Sequence, residues 1–302
     1  MTMILNMRSS EMRSLETRSS ETVSNSQLHS LSKAEFGQFR DWLYQQAGIH
    51  LADVKCSMVS GRLQKRLHAL QLPGFAAYLD YLKVPAHQQE RQTALNLLTT
   101  NETYFFREDK HFQFLQKLLA AQPQQQNWQI WSAAASSGQE AYSIAMTLAQ
   151  QLGLNSRWQV SATDINTTVL EKAQRAIYSM DEAVKIPETM LKAYCEKGVG
   201  KDAGWFRIGQ HIRQHVSFSI TNLFKPDKQL PVFDLIFLRN VLIYFEAEDK
   251  KLIVNNVLRQ LKPGGCLLVG HSESIHGYHP ALVQLQPSCY RYSPESSGYV
   301  TI

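Results

Sequence analysis

From Trp128 onward the chain alternates short β-rich runs with helical ones, and no other feature of the sequence constrains the fold as much. The runs are WQIWSAA (128–134), a helical stretch to Leu152, WQVSATDI (158–165), a helix from near Thr167, VSFSITN (216–222), FDLIFLRN (233–240), a helix near 247–261 and GCLLVGH (265–271). Strands that return in the same direction through intervening helices make a mostly parallel, doubly wound sheet of the α/β class. One interval breaks the rhythm: residues 178–215 separate the second helix from the next core strand. It reads as an inserted small antiparallel β-subdomain, with GWFRIGQHIRQH (204–215) as its hairpin and Ile208 at the edge it offers. LVQLQ (282–286) and CYRYS (289–293) predict an antiparallel pair at the edge of the main sheet.

Upstream the texture is helical. Ser32 with Glu35 three residues on is a capping-box pattern, and Phe36, Phe39, Trp42 and Leu43 follow at helical spacing. Gly48 ends this helix; a second spans roughly Asp53 to Leu70, and two more lie in 75–83 and 88–99 after a Pro73-Gly74 turn. Before them, RSSEM-RSLET-RSSET at 8–22 repeats a five-residue unit in a Ser/Thr-rich stretch that cannot bury enough apolar surface to offset its ordering entropy. The expected organisation is a disordered tail at 1–30, a helical domain at 31–100, a linker and helix at 101–127, the α/β domain at 128–292 with its insert at about 178–215, and a tail at 293–302.

The formal charge of +5 is spread along the chain rather than massed in a basic arm, which argues against nucleic acid as partner. No apolar stretch approaches the roughly 18 residues of a membrane span, and the first residues lack a signal peptide's apolar core, so a cytoplasmic protein is expected. Cys56, Cys195, Cys266 and Cys289 have no paired metal-ligand spacing; they read as reduced and structural, and no metal is expected.

In a doubly wound sheet the ligand lies across the C-terminal strand ends, closest to the loop after the first strand. Here that loop belongs to WSAAASSGQEAYSIAM (131–146), in which Gly138 is the single glycine. It is not the GxGxxG of a pyrophosphate cradle, and its Ala and Ser residues permit close approach without it. The second strand ends in Asp164, within SATDIN, where a carboxylate either accepts the hydroxyls of an adenosine ribose or simply begins a helix.

TTNETYFFRE (99–108), WSAAASSGQEAYSIAM, ATDIN, FLRNVLIYF (237–245) and LKPGGCLLVGHSES (261–274), in this order, closely resemble the CheR family of chemotaxis receptor methyltransferases. The resemblance covers about residues 31–292. It implies a helical N-terminal domain, an S-adenosylmethionine methyltransferase (Rossmann-like) domain and a small β-subdomain inserted into it. It also implies a cofactor pocket lined by Asn101, Thr103, Arg107, Glu140, Asp164, Asn222, Leu223, Arg239 and Asn240, with S-adenosylmethionine as cofactor and S-adenosylhomocysteine as product. One departure is Asn166, where many relatives carry Asp.

The reaction so implied is methyl transfer to the side-chain carboxylates of receptor glutamates, giving methyl esters for sensory adaptation. A glutamate is already ionised at pH 7, so the enzyme needs no general base but in-line positioning and exclusion of water. By the resemblance Arg107 and Tyr244 lie near the methyl group and are the catalytic candidates. Methylases of base or amide nitrogens carry an Asn/Asp-Pro-Pro-aromatic loop after the fourth strand; Arg239-Asn240-Val241-Leu242 stands here instead. On the second helix Lys55, Arg62 and Arg66 fall within about 40° of one another at 3.6 residues per turn, with Lys65 beside them. This ridge is either a solvated face or, as in relatives, a dock for the acidic helical methylation region of chemotaxis receptors, with the protein recruited to membrane receptor arrays. Some members also hold a tether at the receptor's C-terminus on the β-subdomain. Two other readings share the sheet. A non-catalytic reader is disfavoured by intact Arg107, Glu140, Asp164 and Tyr244, and a nicotinamide oxidoreductase by the missing GxGxxG.

Overall fold

The computed structural model describes residues 30–121, 127–224, 226 and 230–294. The pentad repeat at 8–22 and the C-terminal residues 295–302 lie outside the described residues. Four helices open the described chain: α1 (Lys33–Ala47), α2 (Cys56–Ala69), α3 (Phe75–Lys83) and α4 (Gln88–Leu98). The capping box forms as its residues predict, with the Ser32 hydroxyl accepting from the Glu35 N–H at 3.3 Å and the Ser32 N–H donating to the Glu35 carboxylate at 2.9 Å. Gly48 ends α1 at φ 71°, where a Cβ would lie 1.8 Å from the Phe224 ring. Phe39, Leu43, Val59, Leu63, Tyr78, Leu82 and Leu95 close the four helices on one core.

After α5 (Lys110–Ala120) the alternation read from the sequence takes shape as β1 (Trp128–Ala133), α6 (Gln139–Leu152), β2 (Trp158–Asp164) and α7 (Thr167–Arg175). The insert follows, with β3 (Ile177–Ser179), α8 (Glu188–Tyr194), β4 (Cys195–Lys197), β5 (Trp205–Ile208) and α9 (Gln210–Arg213). The chain then completes β6 (Val216–Ile220), β7 (Phe233–Leu238), α10 (Ala247–Leu258), β8 (Leu261–Val269), β9 (Leu282–Gln286) and β10 (Cys289–Tyr292). The main sheet runs β6-β2-β1-β7-β8-β10-β9, parallel from β6 to β8, with β10 antiparallel to both neighbours as expected of the terminal pair. Along β7 and β8 successive side chains serve opposite faces: Leu235, Phe237, Cys266 and Leu268 join one core cluster, and Ile236, Leu238, Leu267 and Val269 the other. Strand order reverses between β1 and β7, which opens a crevice at their C-terminal ends.

The insert corrects one expectation. GWFRIGQHIRQH is not a hairpin: its first part is β5, and Gln210–Arg213 turns into α9. The hairpin partner of β5 is β4, reached through Gly200 and Gly204, both at positive φ, and β3 pairs on the other side. Ile208 therefore sits in the central strand, fully buried and donating its N–H to the Ala176 carbonyl at 3.0 Å. The edges of this sheet are β3 and β4, and on β4 Glu196 and Lys197 are exposed. Among the described residues no helix is long and apolar enough to cross a membrane.

The helical and α/β parts meet along polar contacts. Asn96, on α4, donates its amide to the Thr167 and Thr168 hydroxyls at 2.8 and 3.0 Å and accepts the Thr167 N–H at 3.1 Å. Asn166 caps α7 through the Val169 N–H and donates its own amide to the Asn96 carbonyl at 3.0 Å and the Thr99 hydroxyl at 2.7 Å. Both Asn166 donor bonds need an amide; an aspartate there has no N–H to give. On the other flank the His50 N–H reaches the Tyr244 carbonyl, and the Asn222 amide reaches the Gln46 carbonyl.

Candidate functional site

The crevice over β1 and β7 is roofed by the helical part, and together they enclose a cleft of about 430 Å³. That volume suits a nucleoside-sized ligand. Asn101, Thr103, Arg107, Glu140, Asp164, Asn222, Leu223, Arg239, Asn240 and Tyr244 all line it, although they come from widely separated parts of the chain. Lys55 lines it as well, at the side where α2 begins.

Asp164 ends β2 and is 8% exposed. Its two carboxylate oxygens accept the Ser136 and Asn166 N–H groups, each at 2.9 Å, which fixes the carboxylate plane. Burial raises its pKa against the pull of these backbone bonds. Glu140, in the first turn of α6, accepts the Ser132 hydroxyl at 2.7 Å on one oxygen and the Arg239 guanidinium at 2.9 Å on the other. Burial raises this carboxyl too, with Arg239 and Ser132 opposing.

Arg239 follows β7 with its side chain only 1% exposed. It bonds Glu140, Glu108 at 3.0 Å and the Arg107 carbonyl, so its charge is spent on the protein and it holds Glu140 in the cleft wall. Glu108 further accepts the Asn240 amide at 3.1 Å and the His271 N–H at 3.2 Å. Burial alone would raise the Glu108 carboxyl, but the Asn240 bond and the Arg239 charge bring it down to about 2. Asn222 is similarly engaged, donating to Gln46 and accepting the Phe224 N–H.

Arg107 and Tyr244 share one end of the cleft. The Arg107 guanidinium donates to the Glu102 carbonyl at 2.9 Å and lies 5.7 Å from the Tyr104 ring centre. Burial raises the Tyr244 phenol above its ordinary value while the neighbouring Arg107 charge pulls it down. Three of the eight non-glycine residues with positive φ among the described residues line this cleft: Ala134, Ser136 and Asn240. Each left-handed residue costs about 1–2 kcal/mol, a cost the surrounding structure has to offset.

Glu273 did not stand out in the sequence, although it lies in LKPGGCLLVGHSES. Its carboxylate accepts the N–H groups of Asn240 at 2.8 Å, Gly270 at 2.6 Å and Ile243 at 3.3 Å, and so holds the loop that carries Arg239 and Asn240. Gly270 is required beside it, since a Cβ there would stand 2.5 Å from the Asn240 amide and 2.7 Å from Glu273. Thr221, after β6, is buried in the cleft wall with no partner for its hydroxyl among the described residues. This hydroxyl, the fixed carboxylate of Asp164 and the small residues Ala134 and Ser136 fit an adenosine-bearing cofactor without phosphates.

The basic ridge of α2 divides in two. Arg62 donates to the Leu97 and Thr99 carbonyls at 3.0 and 2.9 Å, closing the end of α4. Arg66 forms a two-pronged pair with Glu90 at 2.8 and 2.6 Å, and the Tyr78 hydroxyl joins the same carboxylate. Both arginines thus bind α2 to α4. Lys55 and Lys65 are exposed and pair with no carboxylate among the described residues.

Two family profiles match the sequence: "CheR methyltransferase, all-alpha domain" over residues 34–99 and "CheR methyltransferase, SAM binding domain" over residues 101–289. The chain is 43% identical over 247 residues to a chemotaxis protein methyltransferase of Salmonella typhimurium, covering 81% of this chain and 85% of that protein. It is 43% identical to the Escherichia coli protein of the same name, covering 81% and 86%. With chemotaxis protein methyltransferase 2 of Pseudomonas aeruginosa the identity is 38% over 259 residues, covering 84% and 91%.

Proposed function

The chain belongs to the CheR methyltransferase family, enzymes that use S-adenosylmethionine in chemotaxis, and from that premise we propose that it esterifies glutamate side chains on chemotaxis receptors. The observation that carries this reading is the convergence on one cleft of Asp164 and Glu140 at the strand ends with Arg107 and Tyr244 at one end. In this reading the helical domain spans 31–100, a linker and helix 101–127, and the methyltransferase domain 128–292 with its insert.

When bound, S-adenosylmethionine supplies an electrophilic methyl group on a sulfonium. Asp164 would accept from its ribose hydroxyls, and Thr221, Asn222 and Leu223, which line the same cleft, would hold its adenosine. Glu140, kept in place by Ser132 and Arg239, offers negative potential toward a cation. Arg107 pairs with the acceptor glutamate and, with the Tyr244 hydroxyl, fixes its direction of attack. No residue has to take a proton, because the acceptor is a carboxylate at neutral pH. Tyr244 serves as a hydrogen-bond donor rather than a base, since burial raises its phenol. Lys55 and Lys65 guide the acidic methylation helices of the receptor, and the β4 edge holds a C-terminal receptor tether.

The test is incubation with methyl-labelled S-adenosylmethionine and receptor-bearing membranes. Base-labile label on a receptor-sized band is the expected outcome. Arg107→Ala should lower turnover about 100-fold with little loss of cofactor affinity. Reversing charge at Lys55 and Lys65 together should raise the KM for receptor and flatten its salt dependence. A folded enzyme that labels no receptor rejects the assignment, and Arg107→Ala with normal turnover rejects the role of that residue.

A further inference from the structure

Behind Arg239, three side chains that no expectation from sequence connected come together: Glu108, His111 and His271. One potential ligand atom from each lies within 4.8 Å of the others, and none of the three lines the cleft. His111 sits in the first turn of α5 with its side chain 1% exposed, while Glu108 is 14% exposed. His271 follows β8 and is exposed.

The proton on His111 can be assigned from its neighbours. Its Nε2 is 2.8 Å from the Ser288 hydroxyl, and that hydroxyl gives its own proton to the Pro287 carbonyl at 2.7 Å. With the Ser288 proton given to Pro287, the hydroxyl accepts from the ring and the ring proton is on Nε2. Nδ1 is left with a bare lone pair. It has no hydrogen-bond partner among the described residues and faces a Glu108 oxygen at 3.4 Å. Lone pair against carboxylate is repulsive unless something positive stands between them.

We infer that Glu108, His111 and His271 form a binding site for a divalent first-row transition-metal cation, with zinc the best match. Two imidazole nitrogens and one carboxylate make the three-ligand set of an open zinc site, in which water or an exogenous group completes the shell. Tetrahedral zinc needs its ligands roughly 3.3 Å apart. His271, being exposed, closes the remaining distance by rotating its ring. The supporting bonds that orient metal ligands are present: Ser288 on the far nitrogen of His111, and Arg239 and Asn240 on Glu108. Arg239 does not forbid a cation here, because Glu108 and Glu140 together outweigh its single charge.

The experiment is calorimetric titration of the full-length protein, stripped of metal by chelator, with zinc chloride and then with cobalt(II) chloride. The expected result is saturable binding of one ion per chain, with cobalt giving the visible ligand-field absorption of a low-coordinate nitrogen and oxygen site. His271→Ala should weaken this binding at least about 100-fold while leaving the melting curve unchanged, since the backbone N–H of His271, not its ring, bonds Glu108. Glu108→Gln should lose it as well. Absence of one-to-one binding, or unchanged affinity in His271→Ala, would overturn the site.

Discussion

Single residues in this protein act mostly through what they hold in place. Glu273 shows it most clearly: one carboxylate collects three backbone N–H groups and fixes Asn240 at φ 54°, which sets the direction of Arg239 and so of Glu140. Glu273→Gln exchanges one of its acceptor oxygens for an NH2 group that cannot accept. We predict a loss of about 1–3 kcal/mol of stability and a fall in turnover of at least about tenfold. Denaturant titration and steady-state kinetics on the same preparation check this, and unchanged kinetics would mean that the loop needs no such anchor. The candidate residues themselves were readable because they stand in quoted motifs at strand ends. Their division into groups that face the cleft and groups that brace it was not. Arg239 stands in a quoted motif and Asn222 at the end of a quoted strand run, as Asp164 does, yet in the fold their side chains are satisfied by protein partners. Partner choice depends on residues 99 to 176 positions away, and no local pattern encodes that.

Among the elements, α2 and the insert depart most from what local pattern predicts. Arg62 and Arg66 share a helix face with Lys65, but α4 presents two carbonyls and Glu90 to that face, so two of the four cations hold the helical core together. In the insert, Gly200 and Gly204 stand at positive φ between β4 and β5, while the strand order was set by β3 arriving from α7 to take one side of β5. The Gly209 N–H bonds the Tyr194 carbonyl and the Gly198 N–H bonds the Trp205 carbonyl. Antiparallel bonding alternates, so Glu196 faces Arg207 across β5 and the backbone N–H of Lys197 points to the open edge. If a receptor tether adds to this edge, Lys197→Pro should abolish saturable binding of the receptor's C-terminal peptide while leaving cofactor affinity unchanged. Fluorescence titration with labelled peptides measures both. Undiminished peptide binding would exclude β4 as the receiving strand.

At the scale of the whole molecule, the cleft exists only because the helical part is clamped over the sheet. The Asn96 side chain makes four hydrogen bonds at this seam and its neighbourhood: to the Thr167 and Thr168 hydroxyls, from the Thr167 N–H and from the Gln92 amide. Asn96→Ala leaves the Thr167 N–H at the start of α7 without its acceptor. We predict a destabilisation of about 1–3 kcal/mol together with weaker binding of S-adenosylhomocysteine, because loosening the roof enlarges the cleft. Thermal melts with and without ligand report both effects. A destabilised variant with full ligand affinity would show that the seam supports folding alone.

The sequence by itself determined the layers. Period-two and helical patterning, a capping box at Ser32, glycines at turns and five motifs in order were enough for the parallel sheet, the helical unit, the inserted strands and the family, since each depends on residues near one another in the chain. Only the tertiary structure decided which cations are spent internally, which strands of the insert stand at its edges, that Asn166 serves as an amide donor to the helical part, and that His271 arrives beside Glu108 and His111. These are contacts between distant segments. Their energies come from desolvated hydrogen bonds and ion pairs, which exist only once packing has removed water from both partners.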